Sequence, residues 1–396
     1  MLPIINRTRA FFLKNKELIL FNLILVVIFF PITYQQAVIF DTSDYGSKLN
    51  VAKYIDQTGE FGYMGQSIPT PFFYIGIIFF KRIFGFSYSF GQMITILLCY
   101  PLIGNIIYSQ LKKVNNAMNG WKGMLVTFGI IIAAPLFFFV FKDQHFYFGY
   151  IGLALYHNPT IILLRPFALI LWLLTLNNFF RDKLIVWETV FGLVALIVVT
   201  IIKPSYTLCI FPGMGIVFLW QLFKRRKINW WYAIIVFFVP ALLVLGRQYF
   251  VYFQNQVGGD SKIIFAPFKV ISWMSDYILP KYILSILFPL TVSLIFFKKV
   301  LHDRAMVIAW LIFGIGTIYG YLLAQTGSAQ YEGNFLWSTQ ITLFILFFQS
   351  IIFFLAQDVS KNRLRLTSIA IWSVLAVQVV CGIIYYVHCF IDPIYI

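Results

Sequence analysis

The sequence predicts an all-α, polytopic integral membrane protein, and three observations predict that fold class. Hydrophobic residues make up 61% of the 396 residues and charged residues only 11%, whereas soluble domains are roughly half apolar and a quarter charged. The apolar residues form long runs, many near the about 20 residues that a helix needs to cross a bilayer. Basic residues collect in alternate connections between those runs. We expect one membrane-embedded domain over residues 1–396, with no soluble domain.

The polar boundaries of the apolar runs predict about 11 transmembrane helices, within a range of roughly 10 to 13. The first run is longer than the apolar region of a signal peptide and lacks a small-residue cleavage site, so we expect it to remain as a membrane anchor. Residues 68–84 are apolar over only about a dozen positions, which predicts a re-entrant or interfacial segment rather than a span. In chain order the spans are 18–40, 85–111, 123–141, 160–179, 185–202, 205–222, 230–250, 279–297, 305–324, 336–356 and 367–390.

The charges of the connections predict the orientation. With the N-terminus in the cytoplasm, the cytoplasmic segments hold 19 of the 30 basic residues but five of the 14 acidic ones, and the outer segments hold 11 basic and nine acidic residues. This distribution follows the positive-inside rule. We therefore expect a multi-pass protein of the cell membrane, with its N-terminus in the cytoplasm and its C-terminus outside.

Nucleic acid is not an expected partner, although the formal net charge is +16. The 45 Phe and 23 Tyr residues are spread through the apolar runs and leave no basic face on which a duplex could dock. Four cysteines, Cys99, Cys209, Cys381 and Cys389, lie in or beside spans without the spacing of metal ligands. We interpret them as small buried hydrophobic residues.

The first outer loop, residues 41–84, begins with two carboxylates directly after the first span. Asp41 and Asp44 stand where an acid near hydrocarbon costs about 2 to 3 kcal/mol, which suggests chemistry at the membrane surface. Asp44 can cap a short interfacial helix whose apolar side is Tyr45, Leu49, Ala52 and Ile55. Two interpretations stay open. Both acids are solvated caps, or one is a general base whose pKa is raised by partial desolvation.

The second outer element leads into the span at 160–179. Asn158 and Pro159 have the residue types of a helix N-cap and first helical position. His157 before them is either an ordinary surface histidine or a substrate ligand. Arg165 lies about 9 Å further along the helix. It either extends back to the lipid headgroups or binds substrate within the membrane.

Two further outer connections carry polar candidates. In the turn from Lys203 to Tyr206, the lysine is either a membrane anchor or a ligand for a phosphate at headgroup depth. Tyr206 and Asn158 are further candidates for substrate binding. Glu332 and Asn334 belong to a polar loop between two very apolar spans, and we expect that loop to bind a polar ligand. The late outer loop, residues 251–278, could cover such a site as a lid.

The acidic residue after the first helix, the interfacial helices before the second, the helix number and the cytoplasmic N-terminus together resemble the GT-C superfamily of polytopic membrane glycosyltransferases. The motifs His-Asn-Pro-Thr, Arg-Pro-Phe, Lys-Pro-Ser-Tyr and Glu-Gly-Asn-Phe also resemble those of bacterial cell-envelope membrane proteins. The resemblance implies a polyprenyl-phosphate sugar donor and a glycan, lipid or polymer acceptor beside membrane lipids. It implies that Asp44 or Asp41 is the general base and that Arg165 and Lys203 hold the departing lipid phosphate. The large soluble C-terminal domain of some members is absent, so a peptide acceptor is not expected.

The chemistry of this scheme needs few groups. A carboxylate takes the proton of the acceptor hydroxyl, and fixed cations stabilise the leaving phosphate, so we expect single displacement with inversion, without a metal or other cofactor. An O-antigen-type polysaccharide polymerase, which uses similar lipid-linked substrates, is the main alternative. A lipid-linked sugar flippase or transporter is another, although paired broken helices in the middle of the membrane are not evident from the sequence.

Overall fold

The computed structural model describes residues 2–40, 44–63, 66–68, 70–143, 145, 147–181, 185–254, 262–357 and 362–392. Helices dominate these residues, and eight of them are long and apolar enough to cross a membrane, or nine if one bent pair counts as a single span. The all-helical, multi-pass membrane fold predicted from composition is therefore confirmed.

Most of the described chain is α-helical, with short π-helical and 3-10 segments and two pairs of short strands. The α-helices are α1 (Leu2–Tyr34), α2 (Asp44–Thr58), α3 (Phe72–Phe84), α4 (Tyr88–Leu97), α5 (Cys99–Val114), α6 (Trp121–Ile132), α7 (Pro159–Asn178), α8 (Val186–Ile202), α9 (Ser205–Phe223), α10 (Val239–Tyr249), α11 (Lys269–Met274), α12 (Ile278–Ser285), α13 (Leu287–Ile295), α14 (Phe297–His302), α15 (Arg304–Leu322), α16 (Leu336–Leu355) and α17 (Asn362–Ile391). Segments of π-helix lie at Gln35–Ile39, Tyr232–Phe238 and Phe250–Gln254, and 3-10 turns lie at Asn116–Met118, Phe139–Phe141 and Gly327–Tyr331. The strands β1 (Gly62–Tyr63) and β2 (Gln66–Ser67) pair antiparallel, as do β3 (Ile263–Phe265) and β4 (Leu323–Gln325).

Helix α16 is the centre of the bundle. Of the 18-residue apolar stretch of this helix that could cross a membrane, 89% is buried by other parts of the chain. Its closest neighbour is α15, which presents glycine at the contact. A Cβ at Gly316 would lie 2.6 Å from Thr342 Oγ1, so a larger residue would push the helices apart. Small residues at such contacts let two membrane helices pack backbone to backbone.

The connections between helices gather at two ends of the bundle. At one end Asn115 Nδ2 donates to Leu355 O (3.3 Å), and Lys299 Nζ donates to Gln357 Oε1 (2.9 Å). Both contacts join connections that the sequence predicts to be cytoplasmic. The connections predicted to be outside meet at the opposite end, where the candidate residues lie.

The first outer loop contains the helix predicted to follow Asp44. This helix is α2, and three of the four residues of its expected apolar side, Tyr45, Ala52 and Ile55, are buried. The segment 68–84 contains one helix, α3, of 13 residues. Asp56 of α2 accepts a hydrogen bond from Tyr88 Oη (2.7 Å) and forms an ion pair with Arg82 (2.5 Å). These contacts hold α2 against the helical hairpin of α3 and α4.

Two predicted spans differ from the structure. Helix α6 ends at Ile132, so the prediction of a helix over 123–141 is wrong for its second half. The backbone beyond it is paired by distant partners instead: Ala134 N donates to Gln378 O (3.0 Å), and Leu136 N donates to Leu284 O (3.3 Å). Non-helical backbone at membrane depth is tolerated where protein groups satisfy it in this way. The run at 279–297 is broken into α12 and α13, which are bent by 67°.

Candidate functional site

The candidate site lies where the beginnings of α2, α7 and α16 meet the turn between α8 and α9. Asp44 is the first residue of α2, and Asn158 immediately precedes α7. Lys203 follows the last residue of α8. Asp41 lies outside the described residues.

A chain of hydrogen bonds joins the acid of this site to its cation. Asn158 Nδ2 donates to Asp44 Oδ2 (2.8 Å). Asn158 Oδ1 accepts from Ile161 N (3.1 Å), which confirms the predicted N-cap, and from Thr160 Oγ1 (2.9 Å). Thr160 Oγ1 in turn accepts from Lys203 Nζ (3.3 Å). Asp44 is exposed, which differs from the partial desolvation we expected, and its orientation comes from Asn158.

Lys203 is the cation at the end of this chain of hydrogen bonds, and its surroundings disfavour the protonated form. Its Nζ lies 4.4 Å from the ring centroid of Trp337. Burial lowers the pKa of Lys203 to about 7, repulsion from Lys48 lowers it as well, and attraction to Asp44 partly opposes the shift. Near neutral pH both the ammonium and the free amine are therefore populated. Binding of an anion favours the ammonium.

His157 stands beside the same tryptophan, with 6.1 Å between the ring centroids. Burial lowers the pKa of His157; the Asp44 carboxylate opposes this shift and the Lys203 ammonium adds to it. The Nδ1 atom is buried and has no hydrogen-bond partner among the described residues. The neutral imidazole can accept or donate a hydrogen bond through this nitrogen, depending on the tautomer.

A large cavity of about 520 Å³ opens next to Lys203. Most of its wall is apolar, with Val51, Leu208 and Leu245 among the lining residues. Two cations, Lys48 and Lys203, line the same space. Its volume is within the range of about 300–1,000 Å³ that is usual for ligand pockets. An apolar chamber with cations in its wall suits a lipid that carries a phosphate.

A smaller cavity of about 190 Å³ lies on the other side of the first turn of α16. Asn334, Phe335 and Ser338 face the larger cavity. Leu336 and Trp337 face the smaller one. Successive residues of a helix point in directions about 100° apart. The start of α16 is therefore a wall between two chambers.

Glu332 and Asn334 lie beside these cavities. Asn334 Nδ2 donates to Glu332 Oε2 (2.9 Å) and to Gln325 Oε1 (2.6 Å). Glu332 lines the smaller cavity and Asn334 the larger. The late outer loop reaches this loop, since β3 pairs with β4 through Ile263 and Gln325. Residues 255–261 of the late outer loop, which precede β3, lie outside the described residues.

Arg165 and Tyr206 are not part of this arrangement. Arg165 is only 4% exposed, and its Cζ lies 5.3 Å from the ring centroid of Phe344 inside the bundle. It therefore does not extend to the headgroups, and it lines neither cavity. Tyr206 is fully buried and lines neither cavity.

Sequence reasoning missed Thr160, Trp337 and Lys281. Thr160 could have been noticed as the hydroxyl two residues after a helix cap, whereas the approach of Lys203 to Trp337 has no local signal. Lys281 is fully buried, forms an ion pair with Asp143 and donates to Phe148 O (2.6 Å). Its signal was a lysine within a predicted span. Among the described residues no group of three or more His, Cys, Asp or Glu side chains could hold a metal ion, and the four cysteines are buried and free.

No protein-family model, no curated protein and no solved structure matches this chain.

Proposed function

We propose that this chain is a membrane glycosyltransferase of the GT-C type, which transfers a sugar from a polyprenyl-phosphate donor to an envelope glycan, lipid or polymer acceptor. The observation that carries the proposal is the hydrogen-bonded path from the Asp44 carboxylate through Asn158 and Thr160 to the Lys203 ammonium, beside an apolar cavity of about 520 Å³. A base, a cation and a lipid-sized chamber are the parts that this reaction needs.

The topology belongs to the same proposal. The long apolar helices, the bent pair α12–α13 and the shorter apolar helices α6 and α8 together make about 11 crossings. With a cytoplasmic N-terminus, the site lies on the outer face and the C-terminus is outside. Helices α2 and α3 lie in the outer membrane interface.

The reaction is a single displacement. The acceptor hydroxyl oxygen attacks the anomeric carbon of the donor as its proton passes to the Asp44 carboxylate. The bond between that carbon and the phosphate oxygen breaks, and the phosphate leaves with the electron pair. Lys203 stabilises the negative charge that develops on the phosphate. Attack opposite the leaving group inverts the anomeric centre. Arg165 makes no direct contact with the donor in this scheme, because it lines neither cavity.

The proposal is tested by supplying the purified protein with a polyprenyl-phosphate sugar and candidate acceptors and measuring release of polyprenyl phosphate. Asp44→Asn keeps the side-chain shape and removes the base, so we expect turnover to fall by about 10²- to 10⁴-fold. Asp276→Asn, at another exposed acid of the outer connections, is the matched control and should retain activity. If Asp44→Asn and Asp41→Asn both leave transfer intact, the proposed mechanism is wrong.

A lipid-linked sugar flippase is the second candidate, and the bend of 67° between α12 and α13 favours it. Broken helices and buried ionisable residues mark the substrate paths of many transporters, and the buried Lys281–Asp143 pair lies next to this break. A flippase would move a labelled lipid-linked sugar across liposomes without breaking the glycosidic bond. A polysaccharide polymerase would use the same donor chemistry but would extend a repeat-unit glycan.

A further inference from the structure

The smaller cavity, of about 190 Å³, has walls that are unusual for a membrane helix bundle. Much of its lining comes from non-helical backbone between α6 and α7, including Ala134 and Gly149. One contact ties this segment to the break between α12 and α13: Ile151 N donates to Ser285 Oγ (2.9 Å). Irregular backbone inside a membrane protein occurs where it is packed by protein or lines a polar cavity. The fold therefore maintains an open cavity at this place instead of a continuous helix.

Two residues that line this cavity carry buried polar atoms without partners in the described part of the chain. His157 Nδ1 and Gln340 Oε1 are buried, and neither has a hydrogen-bond partner among the described residues. Both residues line the smaller cavity. Buried polar atoms are almost always paired with protein, water or ligand. The cavity is therefore bordered by polar side chains whose hydrogen-bonding capacity is not fully used by the described residues.

The rest of the lining indicates the chemistry of that occupant. The described lining residues include no lysine or arginine, so this chamber offers a phosphate no fixed cation of its own. Five Phe, Tyr and Trp rings line it, from Tyr147, Phe148, Tyr150, Trp337 and Tyr385. Its volume is below the roughly 300 Å³ of pockets for drug-sized ligands. Aromatic faces, a few polar atoms and a small volume match a single uncharged ring that carries hydroxyl groups.

We propose that the smaller cavity binds one uncharged pyranose unit, with Trp337 and Gln340 in contact with the sugar. The inference rests on the proposed transferase function, which it deepens by placing the sugar and the lipid phosphate in separate chambers. Trp337 stands between them, because it lines the smaller cavity while Lys203 of the larger cavity lies 4.4 Å from its ring centroid. The bond that reacts then lies beside Trp337, within the region that contains His157 and Lys203. The pyranose is either the sugar of the donor or the terminal sugar of the acceptor.

The experiment measures binding without turnover, by ligand-observed NMR titration of the full chain in lipid nanodiscs. The probes are methyl glucopyranoside, methyl galactopyranoside, methyl mannopyranoside and N-acetylglucosamine. We expect saturable binding of at least one probe. Gln340→Met removes the amide with its unpaired oxygen and should raise the dissociation constant by about tenfold. Ala154→Met, at a buried wall residue, fills the cavity and should abolish binding.

Gln92→Met is the matched control. Gln92 is a fully buried glutamine whose side-chain amide atoms have no partner among the described residues, and it lines neither cavity. Its substitution should leave the dissociation constant unchanged. The inference is overturned if the wild-type protein binds none of the four probes saturably, or if Gln340→Met and Ala154→Met, folded by their melting curves, bind as the wild type does.

A second arm identifies the source of the sugar and separates the two proposals. If a polyprenyl-phosphate glucose displaces the bound pyranoside, the cavity holds the donor sugar. If the two bind together, it holds the acceptor sugar. Pyranoside binding by a protein that never releases polyprenyl phosphate supports the sugar site and refutes the transferase. Transfer by a protein that fails every binding criterion refutes the sugar site alone.

Discussion

At the scale of single residues, Lys203 depends most on where the fold places it. A solvated lysine keeps its charge far above neutral pH, but the pKa of Lys203 is lowered to about 7 by burial and by Lys48. The Asp44 carboxylate attracts the ammonium, which raises the pKa of Lys203 and partly opposes this shift. The same side chain can therefore hold a phosphate below neutral pH and lose that charge above it.

The titration of Lys203 predicts how donor binding depends on pH. A polyprenyl-phosphate sugar is a phosphodiester whose charge does not change near neutrality, so binding should follow the protonation of Lys203. Because the free protein loses this proton as pH rises through about 7, donor affinity should fall by up to about tenfold per unit above that pH. Binding is measured between about pH 6 and about pH 9.

Lys203→Arg is the control for this measurement, since arginine stays protonated throughout that range. Its affinity for the donor should vary little with pH, whatever its absolute value. Equal pH slopes for the wild type and Lys203→Arg would show that another group titrates.

Residue roles were predictable where the relevant neighbours are local in sequence. The N-cap role of Asn158 follows from the residues that come directly after it, and the structure confirms it. The same asparagine donates to Asp44, which is 114 positions away. Nothing in a local pattern reports such a contact. For the same reason the sequence grouped Arg165 with Lys203 by depth, whereas the fold separates them.

At the scale of elements, apolar length predicted where helices begin better than where they stop. The run after α6 is apolar enough to continue the helix, yet Ala134 and Leu136 bond to Gln378 and Leu284. Those partners belong to α17 and α12, which are distant in sequence. Tertiary hydrogen bonding replaces the helical ladder at this point, and it creates the wall of the smaller cavity.

The Lys281–Asp143 ion pair connects this non-helical segment to α12. We expect the loss of stability to depend on which of the two partners is removed. The side chain of Lys281 is 0% exposed and that of Asp143 is 13% exposed. Asp143→Ala leaves a fully buried ammonium without its partner and should cost about 3 to 5 kcal/mol of unfolding free energy. Lys281→Met leaves a carboxylate that can reach water, so its cost should be smaller.

Unfolding in mild detergent with urea measures both losses. The double variant Lys281→Met with Asp143→Asn should be more stable than Asp143→Ala, because no unpaired charge remains. Equal losses for the two single changes would mean that the pair holds the segment by packing and not by charge.

At the scale of the whole molecule, the alternation of basic connections predicted which loops meet. The cytoplasmic connections predicted around Asn115 and Gln357 lie at one end of the bundle, bonded to Leu355 and Lys299. The connections predicted to be outside border the two cavities at the other end. Charge counting groups loops in this way because adjacent spans must alternate in direction. The charge count carries no information on which residues of the connections at one end contact each other. The division of that end into two cavities could therefore not be predicted from the sequence.

The orientation itself is open to a labelling test that also settles how often the chain crosses between α2 and α6. Gln57 and Asn116 are exposed and uncharged, and they lie in connections predicted to be outside and cytoplasmic respectively. The four native cysteines are buried, so the wild type should give little background. We expect a membrane-impermeant maleimide to label Gln57→Cys in intact cells and Asn116→Cys only after permeabilisation.

The reason is that a single crossing, formed by α4 and α5, separates these two positions if 68–84 does not span. If α3 also crossed the membrane, two crossings would lie between them and both cysteines would react from the same side. The reverse pattern, with only Asn116→Cys labelled in intact cells, would keep the single crossing but invert the protein. The site around Asp44 and Lys203 would then face the cytoplasm, and an outer-face transferase would be excluded even if both cavities bind their ligands.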